Sequence, residues 1–201
     1  MEAEEKEQRA AGRSLNVVHT LPRSMASVPQ FLAGPLERVD LSAAATQVLV
    51  ITADAETAIG LAESVLKMTG PGGVELLPIT SARRSSRLFA TRPIHAAAGS
   101  PRALRELIQS SHLKLESVKT VVLAWAEEIL TGADQDVEAL EAVMSELPKD
   151  AARIVVTSRA GTRVNEFAER YLRRAQRSEP DATEELEPVS LRYITVSSGS
   201  R

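Results

Sequence analysis

Short apolar runs alternate with segments of helical periodicity along most of the chain. Residues 46–52 read TQVLVIT and residues 120–124 read TVVLA, apolar in succession as in strands that are covered on both faces. Together with weaker runs they predict seven strands, at 15–20, 46–52, 74–80, 93–98, 120–124, 153–157 and 189–196. Residues 48–51, 121–123 and 154–156 are expected to be the central strands.

Between these strands the spacing of apolar residues predicts amphipathic helices. Asp54 has the position of an N-cap, and the apolar residues that follow it are expected to face the core, namely Ala58, Ile59, Ala62, Val65 and Leu66. Further helices are predicted at 31–39, around 83–87, from Ser100-Pro101 onward, at 136–147 and at 162–174. Strands that alternate with helices indicate an α/β fold, a doubly wound parallel sheet with helices on both faces.

Composition narrows the possible chemistry. The chain has 201 residues, no cysteine and three scattered histidines, which excludes disulfides and thiolate metal sites and offers no metal-ligand spacing. The net charge is −3, with acidic clusters near both ends and a nearly neutral body, so no global attraction to nucleic acid is expected. Residues 1–13 do not read as a signal peptide and no apolar run is long enough to span a bilayer, so we expect a cytoplasmic protein without membrane contact.

Four segments occur in the order and spacing of a helicase framework. They are VLVITADAETAIGLAE (48–63), AGSPRAL (98–104), VKTVVLAWAEEIL (118–130) and TSRA (157–160). The chain resembles the first, N-terminal RecA-like lobe of DEAD-box helicases, with these segments in place of the PTRELA, TPGR, DEAD and SAT motifs. The resemblance implies the RecA-like, three-layer fold of P-loop NTPases.

The same comparison suggests a domain organisation. Residues 1–12 are predicted to be a disordered tail and residues 13–176 the RecA-like lobe. Residues 177–188 form an acidic linker, and 189–201 contain a strand that resembles the start of a second lobe.

The residues that handle the nucleotide in that family are missing here. The loop LPRSMASVP (21–29), in the Walker A position, has no glycine and no lysine, with Met25 and Ala26 near the expected Lys-Thr. Where the family has Asp-Glu-Ala-Asp, this chain has Ala124, Trp125, Ala126 and Glu127. We therefore predict a degenerate nucleotide loop, no catalytic, cofactor-binding or metal-binding residues, and no cofactor.

Trp125 and the adjacent carboxylates have alternative interpretations. Trp125 either fills the space that a nucleotide would occupy or is an exposed anchor for a partner. Glu127 and Glu128 could form an acid/base or metal pair, but adjacent residues on a helical turn point apart, which favours a solvated helix start.

Nucleic-acid contacts are also reduced, although arginines crowd the region where the family binds RNA. The candidate nucleic-acid-binding residues are Arg83, Arg84, Arg87, Ser100 and Arg102. The alternative is a solvated, partly ion-paired face.

Three functions follow from the sequence. The first is a catalytically inactive helicase-like domain, a pseudoenzyme that acts as a scaffold for a protein partner or a second helicase lobe. The second is an ATP-independent module that binds RNA or single-stranded nucleic acid weakly and without sequence specificity. The third, which needs chemistry that the sequence does not display, is a helicase-family ATPase with unconventional ligands.

Overall fold

The computed structural model describes residues 16–178, which contain seven strands and seven α-helices. The strands are β1 Val17–Thr20, β2 Val48–Ile51, β3 Leu76–Ile79, β4 Ala96–Gly99, β5 Thr120–Leu123, β6 Ala152–Thr157 and β7 Gln176–Ser178. The helices are α1 Val28–Glu37, α2 Ala55–Thr69, α3 Ala82–Thr91, α4 Pro101–Gln109, α5 Ala126–Leu130, α6 Asp134–Glu146 and α7 Thr162–Tyr171. The predicted strand at 189–196, the predicted tail at 1–12 and residues 179–188 of the predicted linker lie outside the described residues.

All neighbouring strands are parallel, in the order β3-β4-β2-β5-β6-β1-β7. The register places Val50 between Ala98 of β4 and Val122 of β5. The prediction of a doubly wound parallel sheet with β2, β5 and β6 as central strands is confirmed. Because every strand runs in the same direction, all the loops that follow the strands meet at one edge of the sheet, called here the carboxyl edge.

Successive side chains of the strands lie alternately in two hydrophobic cores, one on each face of the sheet. Leu49 and Ile51 belong to the core under α4, α6 and α7, which includes Leu104, Leu140 and Phe167. Val48 and Val50 belong to the opposite core under α1 and α2, which includes Phe31, Leu32, Leu61 and Val65. This alternation explains why the strand sequences are apolar without interruption, since each side chain is covered on its own face.

The expected core face of α2 is only partly right. Ala58 and Val65 are buried, but Ile59 is 40% and Leu66 58% exposed, whereas Leu61 is fully buried. The apolar residues of α2 cover a face wider than the sheet can bury. Spacing alone therefore identified the helix correctly but its buried face only in part.

Two segments are more regular than the sequence indicated. Residues 21–29, expected to be a turn, contain a 3-10 turn at Met25–Ser27 and the start of α1. Pro35 lies inside α1, where burial of Phe31, Leu32 and Leu36 outweighs the proline's cost to the helix. Strand β7 was not predicted; it pairs with β1 at the sheet's end.

Candidate functional site at the carboxyl edge

Several main-chain amides of the loop after β1 donate to acceptors within the loop itself. The amide of Ser24 donates to the Pro22 carbonyl (2.8 Å), that of Ser27 to the Ser24 carbonyl (3.0 Å) and that of Ala26 to the Ser24 hydroxyl (3.2 Å). A phosphate-binding loop must leave such N–H groups free to point at the ligand. Three of this loop's amides are therefore already engaged, and the loop has no lysine to supply charge.

Trp125 follows β5 and is almost completely buried, at 1% exposure. Its ring meets Phe31 of α1 edge to face, with centroids 6.0 Å apart. The backbone of Trp125 is left-handed (φ 53°, ψ 61°), which is unusual for a bulky residue. Trp125 is therefore not an exposed anchor but part of the core beneath the site.

An ion pair that the sequence analysis did not identify joins the loop to α5. The guanidinium of Arg23 donates to both carboxylate oxygens of Glu128 and lies 5.7 Å from the centre of the Trp125 ring. Arg23 thus spans from the loop after β1 to the segment after β5. The sequence could have indicated this pair only by position, because Arg23 and Glu128 both follow strands of a parallel sheet and must therefore lie at the same edge.

Glu127 has a different partner from its neighbour. Its Oε1 accepts from the amide (2.8 Å) and the hydroxyl of Ser158, at the end of β6, while Oε2 is buried without a partner among the described residues. Burial acts to raise the pKa of Glu127, but the hydrogen bonds from Ser158 outweigh it and hold the pKa below its usual value. The two glutamates point apart, as expected, but Glu127 is half-buried rather than solvated.

The candidate nucleic-acid residues are divided between two adjacent helices. Arg83, Arg84 and Arg87 are exposed in the first two turns of α3, which starts at the carboxyl edge after β3. Ser100 precedes α4 at the same edge, after β4. Arg102 is exposed but turned toward α6, where its Nε lies 3.0 Å from Asp136.

The three arginines of α3 therefore differ from Arg102 in having, within the described part of the chain, no carboxylate that offsets their charge. In residues 16–178 no carboxylate pairs with Arg83, Arg84 or Arg87. These three, here called the α3 arginines, retain their charge for a ligand.

Among residues 16–178 we find neither a metal-binding cluster nor a membrane-spanning helix. No group of three or more histidine, aspartate or glutamate side chains is placed there to hold a metal ion. None of the helices in this range has both the length and the apolar character that crossing a bilayer requires.

Sequence comparison finds similarity to curated helicases. The chain is 29% identical over 140 residues to the DEAD-box ATP-dependent RNA helicase CshA of Geobacillus kaustophilus, covering 68% of this chain and 29% of that protein. It is 28% identical over 152 residues to CshA of Bacillus cereus, covering 74% and 28%. The chain thus spans less than a third of the length of these relatives. No protein-family model matches it.

Structure comparison agrees on the fold. A DEAD box protein from Methanococcus jannaschii superimposes with a TM-score of 0.73 and 16% identity, over 83% of this chain and 46% of that one. Dbp5 of S. cerevisiae, solved in a complex with Gle1 and IP6, gives a TM-score of 0.67 and 18% identity, over 84% and 42%.

Proposed function

We propose that this chain acts as a catalytically inactive interaction domain. It is a homologue of DEAD-box RNA helicases with the fold of a RecA-like helicase lobe, as the order and spacing of its segments predicted. In this proposal it binds a protein partner or a second helicase lobe in the cytoplasm, without binding or hydrolysing ATP. The activity of the much longer relatives is not carried over.

The observation that carries the proposal is the state of the loop after β1. A magnesium nucleotide needs free loop amides, a lysine for the β- and γ-phosphates and a carboxylate for the metal. Here the amides of Ser24, Ala26 and Ser27 bond within the loop, and Trp125 occupies the second position of the acidic motif. Arg23, the one cation of the loop, is engaged by Glu128. These residues do not fit a magnesium nucleotide.

Isothermal titration with ATP and magnesium tests the proposal. We expect no saturable heat up to millimolar ATP, and no phosphate release beyond the buffer rate. The full-length Geobacillus helicase, run in parallel, serves as the positive control. A micromolar ATP affinity of this chain would overturn the proposal and favour an ATPase with unconventional ligands.

A second candidate function is ATP-independent binding of single-stranded nucleic acid. It is favoured by the α3 arginines, which are exposed at the carboxyl edge and have forked donors suited to phosphate. Ser100 immediately precedes the neighbouring helix and Arg102 lies two residues further, although Asp136 offsets the charge of Arg102. Binding should be weak and indifferent to sequence, because the body of the chain is nearly neutral.

Fluorescence anisotropy with a labelled single-stranded RNA tests this second function. Affinity should fall as salt rises, because phosphate contacts release counterions. Changing the α3 arginines together to alanine should abolish binding. The matched control changes Arg38, Lys114 and Lys149 to alanine, which removes the same charge from exposed positions at the opposite edge. No binding by the wild type at low salt, or equal loss in both variants, would contradict the assignment.

A further inference from the structure

A cavity of about 390 Å³ opens at the carboxyl edge between the loop after β1 and the start of α2. Arg23 and Met25 line it from the loop, Asp54 and Glu56 from the start of α2, and Trp125 from the end of β5. Its volume is in the range of cavities that bind small ligands or inserted side chains.

The charge of this cavity is unfavourable for an anion. Asp54 and Glu56 are exposed at its mouth, and within residues 16–178 no cationic side chain forms an ion pair with either. Asp54 also caps α2 by accepting from the Thr57 amide at 2.7 Å. The positive charge of Arg23 is offset by Glu128. The walls therefore carry two carboxylates that have no ion-pair partner among the described residues, and these attract cations.

The Trp125 wall adds two observations that do not depend on charge. Its indole Nε1–H is buried and has no acceptor among the described residues, and its backbone is held in the left-handed region. A buried donor without an acceptor is unfavourable, and strained backbone tends to be retained at functional sites. Because the Nε1 atom is itself buried, a ligand carbonyl supplies the missing acceptor only when the ring turns toward the cavity.

We propose that this cavity binds an organic cation of the guanidinium or alkylammonium class, which pairs with Asp54 and Glu56. The cation belongs either to a basic side chain of a protein partner or to a free small molecule. The inference rests on the proposed function, because it gives the inactive interaction domain a specific recognition chemistry. An arginine within a peptide offers both a guanidinium for the carboxylates and a carbonyl for the indole.

Trp125 provides the measurement, because it is the only tryptophan of the chain and lines the cavity. Titration with N-acetyl-arginine amide at low salt should change its fluorescence saturably. The neutral analogue N-acetyl-citrulline amide should bind at least ~10-fold more weakly, since it lacks the charge. Sodium chloride at equal ionic strength controls for screening. A Gly-Ser-Arg-Ser-Gly peptide that binds tighter than the amide indicates a protein source; equal affinity indicates a small molecule.

A pair of isosteric substitutions locates the site. Asp54→Asn with Glu56→Gln removes both charges and keeps the helix cap, because asparagine caps as well as aspartate. Affinity for the amide should fall at least ~10-fold with unchanged circular dichroism and melting temperature. The matched control, Asp134→Asn with Glu138→Gln, removes the same charge from exposed positions of α6 outside the cavity and should bind as the wild type.

Three results would overturn the inference: no fluorescence change with the amide or the peptide, equal binding of the citrulline analogue, or equal affinities of the two double variants. Titration with ATP separates this failure from that of the proposed function. If neither ATP nor the cations bind, the proposed cation site is wrong and the proposed function still stands. If ATP binds, the proposed function itself is wrong.

Discussion

The main-chain amide of Ser158 donates to the carboxylate of Glu127 across 2.8 Å and so joins the segments that follow β5 and β6. The Ser158 hydroxyl donates to the same oxygen. Because the folded-state pKa of Glu127 is lowered, the ionised form stabilises the folded chain. This contribution is present above the ordinary glutamate pKa of 4.5 and is lost as the pH falls through the lowered value.

Glu127→Gln should therefore destabilise the protein in a pH-dependent way. We expect a loss of about 1 kcal/mol at neutral pH, since the bond is charge-assisted but partly screened by solvent. The difference should shrink as the pH falls below 4.5 and through the lowered pKa of Glu127, where the wild-type carboxyl takes up a proton. Urea unfolding at neutral pH and over a series of decreasing acidic pH values measures it. A difference that does not change with pH would show that Glu127 acts by packing alone.

Two leucines of α2 provide a matched comparison of burial. Leu61→Ala should cost about 2–5 kcal/mol, because Leu61 is fully buried. Leu66→Ala should stay within about 0.5 kcal/mol, because Leu66 is 58% exposed. Chemical denaturation of both variants measures the two losses. A large loss for Leu66→Ala would mean that this face of α2 is covered in solution.

The same helix marks how far sequence could predict the fold. Uninterrupted apolar strands that alternate with amphipathic helices predict an α/β sheet, and Asp54 accepts from Thr57 as its position suggested. The helical period gives the width of the apolar face of α2 but not which half the sheet covers. That choice is made by the neighbouring strands, β3 and β4, and by α1.

The candidate site was only partly predictable. Its place followed from the parallel sheet, and the missing lysine and glycines were visible directly. The pairing of Arg23 with Glu128 depends on the rotamers of two side chains 105 positions apart in the chain. The internal hydrogen bonds around Ser24 depend on the exact path of the loop. Neither leaves a periodic signal in the sequence.

Substitution by alanine should change the stability of the protein in opposite directions at two glycines. A Cβ at Gly99 of β4 would lie 2.9 Å from the Cβ of Ile79 on the adjacent strand, so Gly99→Ala should cost about 1–3 kcal/mol. Gly34 lies in α1 with nothing within 4 Å of its added Cβ, so Gly34→Ala should stabilise by about 0.5–1 kcal/mol. Thermal unfolding measures both shifts. Equal effects would contradict the close contact of β3 and β4.

Trp125→Ala separates two reasons for the expected lack of ATP binding. If the buried ring merely blocked a competent site, its removal would admit ATP. The amides of Ser24, Ala26 and Ser27, however, remain bonded within the loop and no lysine is gained. We therefore expect Trp125→Ala to lose about 3–5 kcal/mol of stability from the emptied core and still to bind no ATP. Trp125→Phe, which retains most of the packing, serves as the folded control if the alanine variant is too unstable for calorimetry at low temperature. Micromolar ATP binding by either variant would identify the indole as a removable block and the loop as competent.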